Sequence, residues 1–266
     1  MSERERGQVT GSAAEIYEEF FVPALFAEWS ERVADPAGLR EGVHVLDVAC
    51  GTGILTRAAA ARVGSTGTTV GLDVNEGMLA VARRKAPRLD WRSGHAEALP
   101  FQSDTFDAVV SQFGLMFFED RRAALTEMMR VLKRGGRLVV AVWDSLDRTP
   151  GYAVVTTLLQ RLFGDRAADA MRAPFVLGDP VALRSLFQTA GIPSAVVATQ
   201  KGTARFPSIK AWMHTEIKGW TLADMIDDGE FARLLAEAEK VLRPFLTHNG
   251  TVAFDAPAHV VTATKP

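Results

Sequence analysis

Residues 43–53 read V-H-V-L-D-V-A-C-G-T-G. Val43, Val45, Leu46 and Val48 form a short apolar run rich in β-branched side chains, with Glu41-Gly42 in front and glycines behind. Such a run marks a strand buried on both faces, as in a parallel sheet. Residues 54–63 are strong helix formers without a breaker. Strand, Gly51-Thr52-Gly53 and helix therefore follow one another. Small residues at the turn let the backbone reverse sharply and let a ligand approach the main chain. In an open α/β sheet that crevice, at the carboxyl end of the strand, is where ligands sit.

A dinucleotide fingerprint asks for G-x-G-x-x-G. Gly51 and Gly53 supply two of its glycines, but Thr56 stands at the third, which argues against a nicotinamide oxidoreductase. Asp47 lies four residues before Gly51. A second strand over 68–72 runs into Asp73, twenty residues past Gly53. A carboxylate there can accept hydrogen bonds from both hydroxyls of a ribose.

V-L-D-V-A-C-G-T-G resembles motif I of the class I S-adenosylmethionine (SAM)-dependent methyltransferases, and V-G-L-D-V-N-E-G-M-L (70–79) is similar to their second motif. G-H-A-E-A-L-P-F (94–101), F-D-A-V-V-S-Q-F-G-L (106–115) and R-V-L-K-R-G-G-R-L-V-V-A-V-W-D (130–144) resemble the remaining blocks, in order. The branch most similar holds the ubiquinone/menaquinone-biosynthesis methyltransferases and many small-molecule methyltransferases. The resemblance covers residues 10–145. It implies an α/β, Rossmann-like fold: a seven-stranded, mostly parallel sheet with helices on both faces and a helical cap. It implies methyl transfer from SAM, leaving S-adenosylhomocysteine, to oxygen, nitrogen or carbon of a small acceptor. A SAM-binding protein of the same fold that rearranges a ligand or senses one is the alternative.

Each part of SAM then makes a demand. The ribose diol asks for Asp73. The methionine end asks for exposed backbone, which Ala49, Cys50, Gly51, Thr52 and Gly53 can offer, with Asp47 near its ammonium or structuring the loop instead. Adenine asks for an apolar wall, Val74 and Met78, and a polar edge, Gly94, His95, Ala96 and Glu97. Ser111, Gln112 and Phe113 end the fourth strand and would border the methyl group. Tyr17, on an aromatic N-terminal helix, would reach inward as part of a lid. Of the five histidines, His214 is the candidate base, against the plainer reading of a solvated or packed side chain. The quinone branch shows G-x-R-N where this chain has Gly114-Leu115-Met116-Phe117-Phe118, which argues for an acceptor with a hydrophobic body rather than a quinone.

The 266 residues suffice for one large α/β domain with a cap, and 47% hydrophobic content suffices for its core. Thirty basic residues against 32 acidic ones leave no basic stripe for a phosphate backbone, so no nucleic-acid partner is expected. The single cysteine, Cys50, excludes an internal disulfide and a multi-cysteine metal site, and no metal is expected. No apolar run reaches the ~18 residues that span a bilayer. No signal peptide is visible, so the expected location is the cytoplasm. The oligomeric state stays open, a homodimer being one arrangement.

Along the chain, residues 1–10 read as polar and frayed, and Ser12 as a cap for the first helix. Pro23 should break or kink the aromatic run that follows. Asn75 should cap a helix over 75–86. A helix over 121–132 should end at Gly135-Gly136, with Lys133 and Arg134 favouring its carboxyl end. Strands are expected at 89–93, 105–110, 137–143 and 195–203, with a last extended segment over 252–264. Helices are expected at 151–163, 165–171, 179–190, 208–227 and 230–245. Strand–helix alternation up to residue 144 predicts right-handed parallel crossovers. The expected units are an N-terminal helical lid (1–40), a SAM-binding core (41–144), and cap insertions with the last two strands (145–266).

Overall fold

The run around Val45 forms β1 (His44–Val48). With it lie β2 (Thr68–Asp73), β3 (Asp90–Ser93), β4 (Phe106–Gln112), β5 (Leu132–Trp143), β6 (Val196–Gln200) and β9 (Ala258–Thr264), in a seven-stranded sheet of order β3-β2-β1-β4-β5-β9-β6. β9 runs antiparallel to β5 and β6, and every other neighbouring pair is parallel. This is a computed structural model, and it describes residues 11–219, 222 and 225–266. The expected fraying of residues 1–10, the Ser12 side chain and part of the helix expected over 208–227 lie outside the described residues.

Val45, Leu46 and Val48 of β1, Ala108 to Val110 of β4 and Leu138 to Val142 of β5 are fully enclosed. That is why these strands read as unbroken apolar runs rather than alternating ones. α3 (Ile54–Val63) follows the glycine turn. α4 (Glu76–Lys85) starts where the Asn75 side chain accepts the Met78 amide at 3.0 Å. α8 (Pro180–Thr189) starts where Asp179 accepts the Val181 amide at 2.9 Å.

Thr56, the residue that spoils the dinucleotide fingerprint, joins α3 to β1. It is fully buried, and its hydroxyl donates to Asp47 Oδ2 at 2.6 Å. Asp47 is 1% exposed, its Oδ1 has no partner among the described residues, and burial pushes its carboxyl up to about 7.

Three expectations change. First, the helix α5 (Arg121–Val131) ends before Leu132, which is already extended (φ −74°, ψ 136°) and paired with Phe106. Lys133 therefore lies in the strand and holds Asp107 at 2.8 Å. Second, residues 195–203 do not form one strand. β6 stops at Gln200, and β7 (Thr203–Phe206) pairs with β8 (Val252–Asp255) in a separate two-stranded sheet. The switch occurs at Gly202, where a Cβ would come within 2.4 Å of the Ala256 carbonyl and of the Trp29 ring, so only glycine lets the chain pass. Third, Pro23 breaks nothing. α1 (Gly11–Ile16) continues through a π-helical stretch (Tyr17–Phe26) into α2 (Ala27–Ala34). The Ala27 amide donates to the Val22 carbonyl five residues back, a wide turn that carries the helix past the missing amide of proline.

α6 (Pro150–Phe163) packs on α7 (Asp165–Arg172), α10 (Asp228–Val241) and β8, and α9 (Ile209–Lys218) packs on α10 and β7. α8 packs on α5 and β6 instead. Among the described residues no helix is long and apolar enough to cross a membrane.

Thr56→Val should cost about 1–3 kcal/mol at neutral pH by leaving the buried Asp47 carboxylate without its donor. The sign with pH follows from the raised folded value. Folded Asp47 holds its proton up to about 7 while the unfolded group loses it near 3.8, so its contribution to stability falls as pH rises through that window. Removing the donor raises the folded value further. Urea melts should therefore show the variant's deficit growing from about pH 5 to about pH 8; a deficit independent of pH would contradict this account.

Candidate functional site

After Val48 the backbone turns through left-handed conformations at Ala49 (φ 58°), Gly51 (φ 55°) and Gly53 (φ 86°). The Cys50 amide donates to the Leu72 carbonyl at 3.0 Å and the Gly53 amide to the Cys50 carbonyl at 2.9 Å. Gly53 is obligatory, because a Cβ there would stand 2.3 Å from the Trp91 indole. Cys50 points away from the turn into a small cluster with Leu79, Ala82 and Trp91, and burial pushes its thiol up.

Asp73 ends β2 beside this turn. Its Oδ2 accepts the Gly51 amide and its Oδ1 the Asn75 amide, both at 2.8 Å. Burial raises its carboxyl, and the backbone amides oppose that shift. The Val74 amide also donates to this carboxyl, and a carboxylate with about four acceptor sites keeps capacity for a further donor.

A cavity of about 350 Å³ opens between these groups at the carboxyl ends of β1, β2 and β4. Ala49 and Gly51 form one wall, and Asp73, Val74 and Met78 another. Gly94, His95, Ala96 and Glu97 close one side, and Gln112 and Phe113 the end of β4. Tyr17 covers it from the N-terminal helix, where burial pushes its hydroxyl well above the usual range. The Gln112 amide donates to the Phe26 carbonyl at 3.1 Å, while its buried Oε1 has no partner among the described residues. Glu97 accepts the Glu119 amide at 3.0 Å, tying the loop after β3 to the segment after β4.

Five of the residues expected at the site do not line it. Asp47 lies beneath the turn on Thr56, and Cys50 faces its own cluster. Thr52, Gly53 and Ser111 sit behind the wall, Thr52 1% and Ser111 0% exposed. His214 is not brought to the cavity either. α9 buries Trp212, Met213, Glu216 and Ile217, which leaves His214 exposed on the opposite face with its ring 6.1 Å from that of Phe20.

Sequence reasoning missed Phe26, Asn75 and Trp143 as walls. Asn75 was legible only as a cap. Trp143 had a signal, being the aromatic that ends the fifth strand beside an acid. Its ring stacks on Phe113 at 3.7 Å and 5°, one continuous aromatic surface. Phe117 and Phe118, noted for their apolar character, also line the cavity. A second cavity of about 340 Å³, walled by Arg40, Lys133, Arg134 and Arg137, lies at the other end of the sheet, away from the strand ends where α/β folds hold ligands. Among the described residues no cluster could hold a metal ion.

Residues 21–152 match the model of the ubiE/COQ5 methyltransferase family. A demethylmenaquinone methyltransferase of Renibacterium salmoninarum is 42% identical over 134 residues, 50% of this chain and 55% of that protein. The ubiquinone/menaquinone biosynthesis C-methyltransferase UbiE of Escherichia coli is 43% identical over 118 residues, 42% of this chain and 47% of that one. The chain thus spans about half the length of the curated relatives it matches. Among solved structures, the phosphoethanolamine N-methyltransferase 2 of Haemonchus contortus, in complex with S-adenosyl-L-methionine, superposes with a TM-score of 0.62 at 17% identity, over 97% of this chain and 57% of that one. A putative methyltransferase of Bacillus halodurans gives 0.61 at 20% identity, over 89% and 98%. These two likenesses speak for the fold, and the family match speaks for the motifs that line the cavity. By its motifs and its match over residues 21–152, this part of the chain is similar to the ubiE/COQ5 methyltransferase family.

Proposed function

We propose that the chain binds SAM in the cavity between Gly51 and Asp73 and transfers its methyl group to oxygen, nitrogen or carbon of a small, partly hydrophobic metabolite. The observation that carries this reading is the backbone-floored cavity at the carboxyl ends of β1 and β2, with a carboxylate on its rim. Its volume suits a small-molecule site. The residues present also suit the parts of SAM. Asp73 has lone pairs free for a diol, Ala49 and Gly51 present main chain without bulk, and the unpartnered Gln112 Oε1 suits an ammonium or hydroxyl donor.

When bound, SAM supplies an electrophilic methyl on a sulfonium, already a good leaving group. The protein's task is then to hold and orient. Asp73 and the Gly51 turn fix one end. The faces of Phe26, Phe113 and Trp143 suit a cation and keep water away from it. The N-terminal helix acts as the lid, Tyr17 and Phe26 closing over the cavity as neutral aromatic walls. Alignment alone can contribute up to about 7–11 kcal/mol in favourable cases. His214 has no part in this reading.

Calorimetry should show S-adenosylhomocysteine binding at one site per chain. Incubation with SAM and a metabolite extract should yield S-adenosylhomocysteine and a methylated product by mass spectrometry. A protein that binds neither nucleoside sinks the proposal; one that binds but never turns over supports the non-methylating alternative.

Asp73→Ala should weaken S-adenosylhomocysteine binding by about 1–3 kcal/mol, or about 5- to 150-fold, through loss of charged hydrogen bonds and of the acceptor for Gly51. Affinity equal to that of the unaltered protein would remove Asp73 from the site.

A further inference from the structure

Behind the aromatic wall lies a second, smaller chamber. Phe26 and Trp143, whose centroids are 6.0 Å apart, line both cavities. The chamber measures about 10 Å³ and is bounded by Leu25, Thr149, Tyr152, Met171 and Phe175. Phe175 is only half-buried and the adjacent Val176 is 55% exposed, so that side of the chamber lies near the surface.

The wall formed by Tyr152 leads to a buried acid. The Tyr152 hydroxyl donates to Glu216 Oε1 at 2.5 Å, and Trp212 Nε1 donates to the same oxygen at 3.0 Å. An indole nitrogen can only donate, so Oε1 is an acceptor here. Among the described residues Oε2 is left without a partner, on a residue 1% exposed. Buried polar atoms without a partner are rare and ask for an explanation. Burial pushes the Glu216 carboxyl up to about 7, and Tyr152 and Trp212 oppose that shift. Among the described residues no charged neighbour accounts for the acid. Lys218 of the same helix is held by Asp228 of α10, Arg205 of β7 faces Glu28, Arg161 of α6 is held by Glu237, and Glu18 of the N-terminal helix pairs with Arg57 and Lys85. His214 faces outward.

We infer, on the methyl-transfer reading above, that this chamber receives the methyl acceptor and that Glu216, through the Tyr152 hydroxyl, positions an O–H or N–H of that acceptor. Tyr152 is the residue that touches the ligand, and Glu216 is the positioning residue behind it. With its own proton committed to Glu216 and the Trp212 indole donating beside it, the Tyr152 oxygen has one lone pair left for a donor in the chamber. The ligand class follows: an apolar ring or chain, admitted as Phe26 and Phe175 move apart, carrying one hydrogen-bond donor.

The test uses full-length protein saturated with S-adenosylhomocysteine, with 2-naphthol and its methyl ether 2-methoxynaphthalene as probes in calorimetry. Unaltered protein should bind 2-naphthol about tenfold more tightly than the ether, because the ether cannot satisfy the Tyr152 oxygen. That preference should grow from about pH 6 to about pH 8 as Glu216 ionises. Tyr152→Phe and Glu216→Gln should each cut the preference to about twofold or less, and Glu216→Gln should flatten its pH dependence, with affinity for S-adenosylhomocysteine unchanged. A preference that survives both substitutions, or absence of 2-naphthol binding on protein that binds S-adenosylhomocysteine, overturns the inference. Protein that fails to bind S-adenosylhomocysteine overturns the earlier reading, and this one with it. Should Glu216→Gln not fold, Tyr152→Phe and the pH dependence of the unaltered protein decide.

Discussion

Between β1 and α3 the chain reverses through left-handed residues, and Asp73 holds it there by accepting the Gly51 amide at 2.8 Å. Parallel pairing brings the two together, with Val48 beside Leu72 in register. Asp73 at the end of β2 thus stands across from the turn that follows β1. The same contact places bare main chain next to an acid at the mouth of the cavity. Without the close approach of Gly53 to Trp91 the turn would have to open, and cavity wall and acid would separate. The local demand for glycine and the long-range pairing of two strands therefore act on one point.

Much of this was legible in sequence because it is local. Strand, turn and helix at 43–63 follow from composition over a few residues, and the cap at Asn75 from one side chain and the amide three residues on. What escaped depends on which neighbours arrive later in the chain. Thr56 counted only as a missing glycine, although its hydroxyl carries the bond to Asp47. His214 looked interesting for its aromatic company, but the face that α9 turns outward is set by where Trp212 and Ile217 find their core. The break at Gly202 depends on Trp29, more than 170 residues earlier. No local pattern carries that information.

The buried acids separate by their partners. Asp47, Asp73 and Glu216 are all raised by desolvation. Asp73 accepts backbone amides on both oxygens, which favours its charged form. Asp47 and Glu216 each leave one oxygen unpartnered and are pushed close to neutrality. Asp47 stands under the turn, away from the cavity, and its single hydroxyl donor ties a helix to a strand. Glu216 belongs to the cap, and its donors are the aromatic side chains whose rings pack against Phe254. One physical cause, burial, thus gives a rim acceptor, a structural tie and an acid at the end of a chamber, according to what each oxygen meets.

The N-terminal helix shows how a sequence irregularity becomes geometry. Tyr17 and Phe26 are nine residues apart. At about 100° per residue an α-helix would put them on opposite faces. A π-helix, with its i→i+5 bonds, turns through only about 80° per residue, so nine residues make about two full turns and the rings return to one side. The structure has a π-helical stretch over just these residues, the two rings stack at 5.0 Å and 23°, and both line the cavity. Pro23 sits inside that stretch, and the helix runs on past it with the Ala27 amide reaching back five residues to the Val22 carbonyl. The residue that reads as a helix breaker thus sits in the one helical geometry that lets a single segment cover the site with two aromatic side chains, and that segment carries the wall shared with the chamber beyond.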